Sequence, residues 1–220
     1  MTRRLTRILF CFLLVAPAAL RAEDRYFDSK GVKIRYRVEG QGEPVLLIHG
    51  YAGDLDFGKQ TLIPALAKDH QVIAYDSRGH GKSDKPHDSK QYGLEMVEDA
   101  VRLLDHLKIK KAHVIGYSMG ALITHKLLTL HPNRVLTATL GGQVGLRDTD
   151  DFSFLETMAQ EMEQGKGMTS LLVLLTPAGQ PQPTDDQQKA TTAWLNATQD
   201  LKALAGVARR RPGLPRFTNS

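Results

Sequence analysis

A serine placed between two glycines is the group in this sequence best suited to chemistry. The segment reads Gly116-Tyr117-Ser118-Met119-Gly120, and the absence of side chains at its two ends lets the backbone reverse sharply. A serine on such a turn is held in a strained conformation, with its hydroxyl exposed at the start of the next helix. The chemistry would be nucleophilic attack by the hydroxyl, with helix N–H groups stabilising a developing oxyanion.

The residues on either side of this turn predict the elements that position it. Residues 112–115 are a short apolar run, typical of a buried strand, and residues 121–130 are apolar almost all round, as in a helix enclosed by a core. This strand–turn–helix context gives the motif its weight, because Gly-x-Ser-x-Gly alone also occurs by chance.

Two more motifs follow predicted strands earlier in the chain. His49-Gly50-Tyr51 comes directly after the apolar run at residues 45–48. Ligands of parallel α/β sheets bind outside the carboxyl ends of the strands. The histidine–glycine motif and Ser118 should therefore meet at one edge of the sheet.

The second of these motifs is a polar, glycine-rich loop after a predicted strand at residues 72–75. It begins with Asp76, contains Arg78, and runs to Ser83. Its composition is that of a tight loop, and we predict that Asp76 and Arg78 fix the loop rather than take part in chemistry.

Strand and helix patterns alternate through the first part of the chain. Residues 25–39 predict two strands, the second with apolar residues inward and Lys33, Arg35 and Arg37 outward. An amphipathic helix is predicted at 92–107 and a sixth strand at 135–140. The alternation predicts an α/β fold with a mostly parallel sheet and helices on both faces.

The strand–helix alternation stops near residue 148. Helices are predicted at residues 152–163 and 169–175, and one longer helix at residues 187–207. The segment 176–183 between them is rich in proline and reads as a linker.

Residues 1–22 have the composition of a secretory signal peptide. Arginines come first, an apolar run covers residues 8–16, and small residues end at Ala22, after which we expect cleavage. The apolar run is too short to span a bilayer, so we expect an exported protein, periplasmic or secreted, with no stable membrane anchor. The formal charge of +5 falls to +1 when the four arginines of this segment leave, which gives no reason to expect nucleic acid binding.

With the three motifs in this order, residues 25–145 resemble the α/β-hydrolase superfamily, and most closely its branch of serine esterases and peroxidase-like hydrolases. The resemblance implies an α/β-hydrolase core at residues 23–147, with six strands and the serine turn known as the nucleophile elbow. It implies a helical lid at residues 148–220. It assigns the nucleophile to Ser118 and the oxyanion hole to the backbone N–H groups of Tyr51 and Met119, with supporting positions at His49, Gly50, Gly116, Gly120, Asp76 and Arg78.

A serine at the nucleophile position implies acyl transfer. Epoxide hydrolases and haloalkane dehalogenases of the same branch have an aspartate there, whereas a serine suits hydrolysis of an ester-type bond in a small molecule through an acyl-enzyme. We expect no cofactor and no metal, because the sequence has no metal-ligand spacing, phosphate loop or dinucleotide fingerprint. The substrate and the oligomeric state stay open.

The resemblance fails at the remaining members of a catalytic triad. The family order is serine, acid, histidine, yet no histidine lies after the predicted lid; the eight are His49, His70, His80, His87, His106, His113, His125 and His131. The family acid and histidine, with the last two strands and the final helix, would fall beyond Ser220. We therefore expect a C-terminally truncated hydrolase that is weak or inactive as this chain.

Asp148, Asp150 and Asp151 offer a substitute acid after the sixth strand, as in some relatives, but they supply no base. Two alternatives to a truncated hydrolase remain at this point. One alternative is a non-catalytic ligand-binding or interaction protein that retains part of the hydrolase fold. The other is a dimer in which a second copy completes the sheet and supplies a histidine.

Overall fold

We describe residues 23–142 and 153–210 of a computed structural model of the chain. The predicted signal peptide at residues 1–22 lies outside these residues, as do Asp148, Asp150 and Asp151. None of the helices in the described ranges is long and apolar enough to cross a membrane.

Among the described residues, the sheet contains six strands in the spatial order β1-β2-β4-β3-β5-β6. The first two neighbouring pairs, β1 with β2 and β2 with β4, are antiparallel, and the other pairs are parallel. The predicted α/β class with a mostly parallel sheet is therefore confirmed. The strand bounds are β1 Arg25–Ser29, β2 Val32–Glu39, β3 Glu43–Ile48, β4 His70–Tyr75, β5 Ala112–Tyr117 and β6 Val135–Gly141.

Helices cover both faces of the central strands, as their continuous apolar sequence predicts. Leu46 and Ile48 of β3 lie on the face that packs against α2 (Leu94–His106) and α3 (Met119–Leu130). The intervening residues of β3, Val45 and Leu47, lie on the opposite face against the short helix α1 (Leu62–Leu66). Alternation along each strand thus divides the core between the two faces.

One outward-facing position of β2 departs from the predicted pattern. Arg35 is only 3% exposed, so the expectation that this side of the strand faces water is wrong there. Its guanidinium donates to Asp24 at 2.9 Å and to Asp76 at 3.2 Å. A buried charge is tolerated when it is paired in this way, and the pairing joins β2 to the loop after β4.

Within residues 153–210, four helices follow the sheet, and we call them the lid helices: α4 (Ser153–Glu163), α5 (Thr169–Leu175), α6 (Asp185–Thr198) and α7 (Leu201–Arg209). The prediction of one helix over residues 187–207 is wrong. Gln199 is extended, and the Asp200 carboxylate accepts the N–H of Ala203 at 3.0 Å, which caps a new helix. Arg209 at its end pairs with Glu156 and Glu163 of α4.

The lid helices share an apolar cluster with the loop after β3. Met158 and Met162 of α4 and Leu204 of α7 are buried in this cluster, together with Ala52 of the loop. Because one cluster contains both parts, the lid helices pack directly on the carboxyl edge of the sheet.

Strand β6 is the least covered strand of the described sheet. It pairs with β5 on one side only, and five consecutive residues, 136–140, are exposed. Leu136 and Leu140 are each 41% exposed. An exposed, apolar edge strand favours association between molecules.

Substitution of Leu136 by lysine should therefore improve solubility at little cost in stability. A surface change of this kind shifts the free energy of unfolding by about 0.5 kcal/mol or less, and a charge on an edge strand opposes edge-to-edge pairing. Urea denaturation and light scattering measure the two effects. The matched control is Leu46→Lys, at a fully buried position, which should cost more than about 4 kcal/mol; similar losses in the two variants would contradict the assigned exposure of β6.

Candidate active site

Ser118 stands at the junction of β5 and α3 in a strained backbone conformation. Its φ of 51° and ψ of −113° lie in a region that residues with a side chain rarely adopt. The Ser118 N–H donates to the carbonyl oxygen of Gly141 at 2.8 Å, which holds the turn against the end of β6. The strand–turn–helix predicted from the sequence is therefore present, and its serine carries the strain.

Close backbone contacts explain the glycines beside the serine. A Cβ atom on Gly120 would lie 2.1 Å from the carbonyl oxygen of Ile48, and one on Gly116 would lie 2.2 Å from the carbonyl oxygen of Gly120. Neither neighbour is a side chain that can move away. The elbow thus depends on glycine at both positions, and it brings the end of β3 against the start of α3.

Gly120→Ala should therefore disrupt the elbow. The added methyl group must push the backbone of β3 away from α3, so we expect a loss of more than about 3 kcal/mol in the free energy of unfolding. Gly50→Ala is the matched control, because its Cβ would meet only ordinary or slightly tight contacts, at 3.3 Å and beyond. Chemical denaturation of both variants tests the difference, and equal stabilities would contradict the close approach of Gly120 to Ile48.

The residues with the predicted oxyanion-hole positions lie close to Ser118. Gly50, Tyr51, Ala52 and Gly53 form a turn closed by the Gly53 N–H to the Gly50 carbonyl oxygen at 3.1 Å. A Cβ on Gly50 would be 3.4 Å from the Ser118 Cβ, so this turn and the elbow are in contact.

Both predicted oxyanion donors are backbone N–H groups that have no hydrogen-bond acceptor among the described residues. Met119 is the first residue of α3, and first-turn N–H groups have no acceptor inside their helix. No hydrogen bond from the Tyr51 N–H occurs within residues 23–142 and 153–210. Two N–H groups without a partner among the described residues, one in the turn and one in the elbow that it contacts, are donors of the kind that can stabilise an oxyanion.

His49 uses both ring nitrogens to hold the loops together. Its Nε2 accepts the Ser77 N–H at 3.0 Å, so the proton is on Nδ1, which donates to the Gly50 carbonyl oxygen at 2.7 Å. Burial lowers the pKa of His49, which favours this neutral form. His49 therefore supports the turn and has no free lone pair to accept the Ser118 proton.

His80 is a second buried imidazole beside the same turn. Its ring centroid lies 5.1 Å from that of His49 and 5.8 Å from that of Tyr51, and its Nδ1 contacts the Arg78 carbonyl oxygen at 3.1 Å. Complete burial, with a smaller effect of His49, lowers the pKa of His80 to about 3. His80 is therefore neutral in the folded protein at neutral pH.

The low pKa of His80 predicts a loss of stability in mild acid. Between pH 6.5, the ordinary histidine value, and the folded-state pKa of about 3, the unfolded chain binds a proton that the folded chain does not. The free energy of unfolding should therefore fall as the pH decreases through this range, and be fully retained above pH 6.5. His80→Phe should reduce the pH dependence of the free energy of unfolding by the amount that corresponds to binding of about one proton. Urea denaturation from pH 7 to pH 4 measures both slopes, and identical slopes would contradict the assigned protonation state.

Asp76 and Arg78 are fully engaged in loop structure. The Asp76 carboxylate accepts the N–H groups of Leu55 at 2.7 Å and Lys82 at 2.6 Å. Arg78 makes two 2.6 Å hydrogen bonds to the Asp99 carboxylate, and both side chains are buried. These contacts connect both side chains to neighbouring backbone and to α2, and their supporting role at the site stays a prediction.

In the described part of the chain, the Ser118 hydroxyl donates no hydrogen bond to a histidine. Several of the other histidines have partners elsewhere: His87 with Asp200, His106 with Tyr36, His113 with Thr137, and His131 with Glu98. Within the same residues, no group of three or more His, Cys, Asp or Glu side chains could hold a metal ion. The described site thus contains a strained serine without a histidine base, and the oxyanion-donor roles of the Tyr51 and Met119 N–H groups stay predictions.

One contact of the site was not predicted from the sequence. Tyr51 was assigned only a backbone role, yet its phenol hydroxyl donates to the carbonyl oxygen of Leu204 in α7 at 2.6 Å. The two residues are 153 positions apart, and no local pattern signals such a bond.

A strained serine elbow at the carboxyl edge of a mostly parallel α/β sheet is the arrangement of a hydrolase-type enzyme. The chain belongs to the alpha/beta hydrolase fold family, whose model matches residues 43–210. This match includes the turn after β3, the elbow and the lid helices.

The named relatives match this chain over only part of their own length. A dihydrolipoyllysine-residue acetyltransferase component of the acetoin cleaving system from Cupriavidus necator is 36% identical over 151 residues, which are 67% of this chain and 40% of that protein. A 2-hydroxymuconate semialdehyde hydrolase from Pseudomonas sp. is 37% identical over 125 residues, 56% of this chain and 44% of that protein. The chain thus spans less than half the length of these two relatives.

Solved structures show the same fold at lower sequence identity. An epoxide hydrolase from Vigna radiata aligns with a TM-score of 0.66 and 16% identity, over 87% of this chain and 72% of that one. An esterase from Exiguobacterium antarcticum aligns with a TM-score of 0.61 and 21% identity, over 83% and 70%. Identities this low support the fold alone.

Proposed function

We propose that this chain is a serine hydrolase that cleaves an ester-type bond of a small molecule through an acyl-enzyme on Ser118. The observation that carries the proposal is the strained backbone of Ser118, at φ 51° between two glycines where an added Cβ atom would lie 2.1 Å and 2.2 Å from backbone oxygens. Strain of this kind costs about 1 to 3 kcal/mol and is typical of functional sites. Here it presents a hydroxyl on an elbow that contacts the turn of Tyr51, and the N–H groups of Tyr51 and Met119 have no partner within residues 23–142 and 153–210.

The reaction would proceed in two acyl-transfer steps. The Ser118 oxygen attacks the substrate carbonyl carbon, its proton passes to solvent, and the N–H groups of Tyr51 and Met119 bind the oxyanion of the tetrahedral intermediate. Collapse of the intermediate breaks the bond to the alkoxide, which takes a proton from solvent and leaves as the alcohol, while the acyl group stays on Ser118. Water then attacks the acyl-enzyme, which releases the acid and restores the serine.

The rate of these steps depends on a base. A serine hydroxyl is a poor nucleophile at neutral pH unless a neighbouring group takes its proton, and no described histidine does so. Oxyanion binding alone retains about 10³- to 10⁴-fold acceleration over water. We therefore propose slow turnover for the 220-residue chain.

The names of the relatives support the class of substrate but not its identity. They include an acetyltransferase component and a semialdehyde hydrolase, names that refer to an acyl group and to a carbonyl compound. Because each match covers less than half of the relative, the activity of the whole relative does not carry over. We propose a small acyl compound as substrate, without a cofactor.

Two observations favour a second candidate, a non-catalytic protein that binds a small ligand at the same edge of the sheet. The Ser118 hydroxyl has no hydrogen bond to a described base, and the lid helices pack closely over the neighbouring turn. A protein of this kind would bind an acyl compound without forming a covalent bond to it.

Incubation with p-nitrophenyl acetate distinguishes the two candidates. We expect turnover below about 1 per second and an acetyl adduct on Ser118, detected by peptide mass after an acid quench. Ser118→Ala should abolish the adduct and the part of the slow turnover that passes through it, whereas the control Ser89→Ala, in the short helical turn Ser89–Gln91, should retain both. Binding without an adduct would support the second candidate. A rate in the usual enzyme range, abolished by Ser118→Ala, would show that a base does act on the serine.

A further inference from the structure

Tyr51 connects the turn beside Ser118 to the lid. Its backbone N–H is the proposed oxyanion donor, and its hydroxyl donates to the Leu204 carbonyl oxygen of α7 at 2.6 Å. The Met162 sulfur of α4 lies 3.4 Å from the same hydroxyl. One residue therefore contacts two lid helices with its side chain, while its backbone belongs to the turn that contacts Ser118.

The turn that contains Tyr51 is itself strained. Ala52 has a φ of 55°, in the left-handed region that favours glycine in a turn. Its methyl group is buried with Met158, Met162 and Leu204 of the lid helices. Because a strained conformation persists only when its surroundings hold it, the lid contacts are the feature that stabilises this turn from above.

Helix α7 contacts the core at two other points. Asp200, at its start, pairs with His87 at 2.9 Å. Gly206, in its middle, approaches the ring of Tyr92 so closely that a Cβ atom would lie 2.9 Å from it. The Leu204 carbonyl oxygen lies between these two contacts in sequence, so its position relative to the core is well defined.

We propose that Tyr51 is a positioning residue through which α7 sets the geometry of the oxyanion hole. When α7 is seated, the Leu204 carbonyl oxygen holds the Tyr51 hydroxyl, and the turn keeps the Tyr51 N–H beside Ser118. When α7 moves away, the strained turn loses both its hydrogen bond and its apolar cover and relaxes. This inference rests on the proposed function for the role of the N–H, and it makes the seated lid a condition for oxyanion binding.

The chemistry explains why such a contact matters for rate. An oxyanion donor acts only when it lies at hydrogen-bonding distance from the developing charge, and preorganisation of the donor supplies most of its effect. A lid that fixes the donor therefore links substrate enclosure to catalysis. A closed lid would produce a complete hole, and an open lid an incomplete one.

Amide hydrogen exchange of Tyr51→Phe tests the contact without requiring turnover. Loss of one hydrogen bond should raise exchange in residues 49–53 by about fivefold to tenfold, and should shift the ¹H–¹⁵N resonance of residue 51. Tyr92→Phe is the matched control: it also removes one phenol hydrogen bond, to the Pro86 carbonyl oxygen at 2.5 Å, but keeps the ring against α7. Unchanged exchange at residues 49–53 in Tyr51→Phe would overturn the proposal.

A second variant tests the direction of the coupling. Gly206→Val should displace α7 from the Tyr92 ring and raise exchange at residues 49–53 to the level of Tyr51→Phe. The double variant should show no further rise, because both changes break the same link. Additive effects, or loosening of α7 with an unchanged turn, would overturn the proposal. If Gly206→Val does not fold, Gly206→Ala provides the same test with a smaller displacement.

Acylation separates a positioning role from a merely structural one. In Tyr51→Phe, the adduct on Ser118 should form several times more slowly, while the ester concentration for half-maximal rate is unchanged, because the lost interaction belongs to the transition state. A rise in that concentration at an unchanged maximal rate would overturn the role. If Ser118 forms no adduct even in the unmodified protein, the proposed function fails, and the exchange measurements still decide whether α7 controls the turn.

Discussion

The close approach of three backbone segments beneath Ser118 is the constraint on which the site depends. The end of β3, the end of β5 and the start of α3 meet where Gly120 faces the carbonyl oxygen of Ile48, at a distance that no side chain permits. This contact fixes the first turn of α3 against the sheet. The backbone that carries the N–H of Met119 and the side chain of Ser118 is therefore held in one position relative to β3. It also accounts for the strain at Ser118, because only a sharp reversal brings the helix so near to the strand. The parallel core, apolar on both faces, supplies the stability that holds this strain.

The second part of the site comes from contacts between distant parts of the chain. The turn after β3 is supported from below by His49, which bridges it to the loop after β4. It is covered from above by the lid helices, through the methyl group of Ala52 and the hydroxyl of Tyr51. Neither support requires a charged group, which is consistent with the proposed role of this turn in binding an oxyanion through neutral N–H dipoles. The buried arginines, Arg35 and Arg78, lie in ion pairs with the buried carboxylates of Asp76 and Asp99.

The sequence predicts the parts of this structure that local pattern determines. Apolar runs identified the strands, and the glycines around Ser118 identified the elbow, because both depend on neighbours within a few residues. Predictions were wrong where a single polar residue changed the local outcome: Asp200 caps a new helix, and Arg35 is buried by its partners. The bond of Tyr51 to Leu204 left no local trace, since it depends on how the lid helices pack. The roles assigned to the site residues stay predictions until they are measured.

Ser118 is proposed here as a poised nucleophile without a histidine base among the described residues. The pH dependence of its phosphonylation by a fluorophosphonate tests this claim most directly, with the site identified by peptide mass. We expect labelling at Ser118, at a rate that rises about tenfold per pH unit from pH 6 to pH 9 without levelling off, because hydroxide must remove the proton. A rate that levels off near pH 7 would reveal an imidazole base and contradict the claim. Labelling at other residues with none at Ser118 would contradict the assignment of the nucleophile.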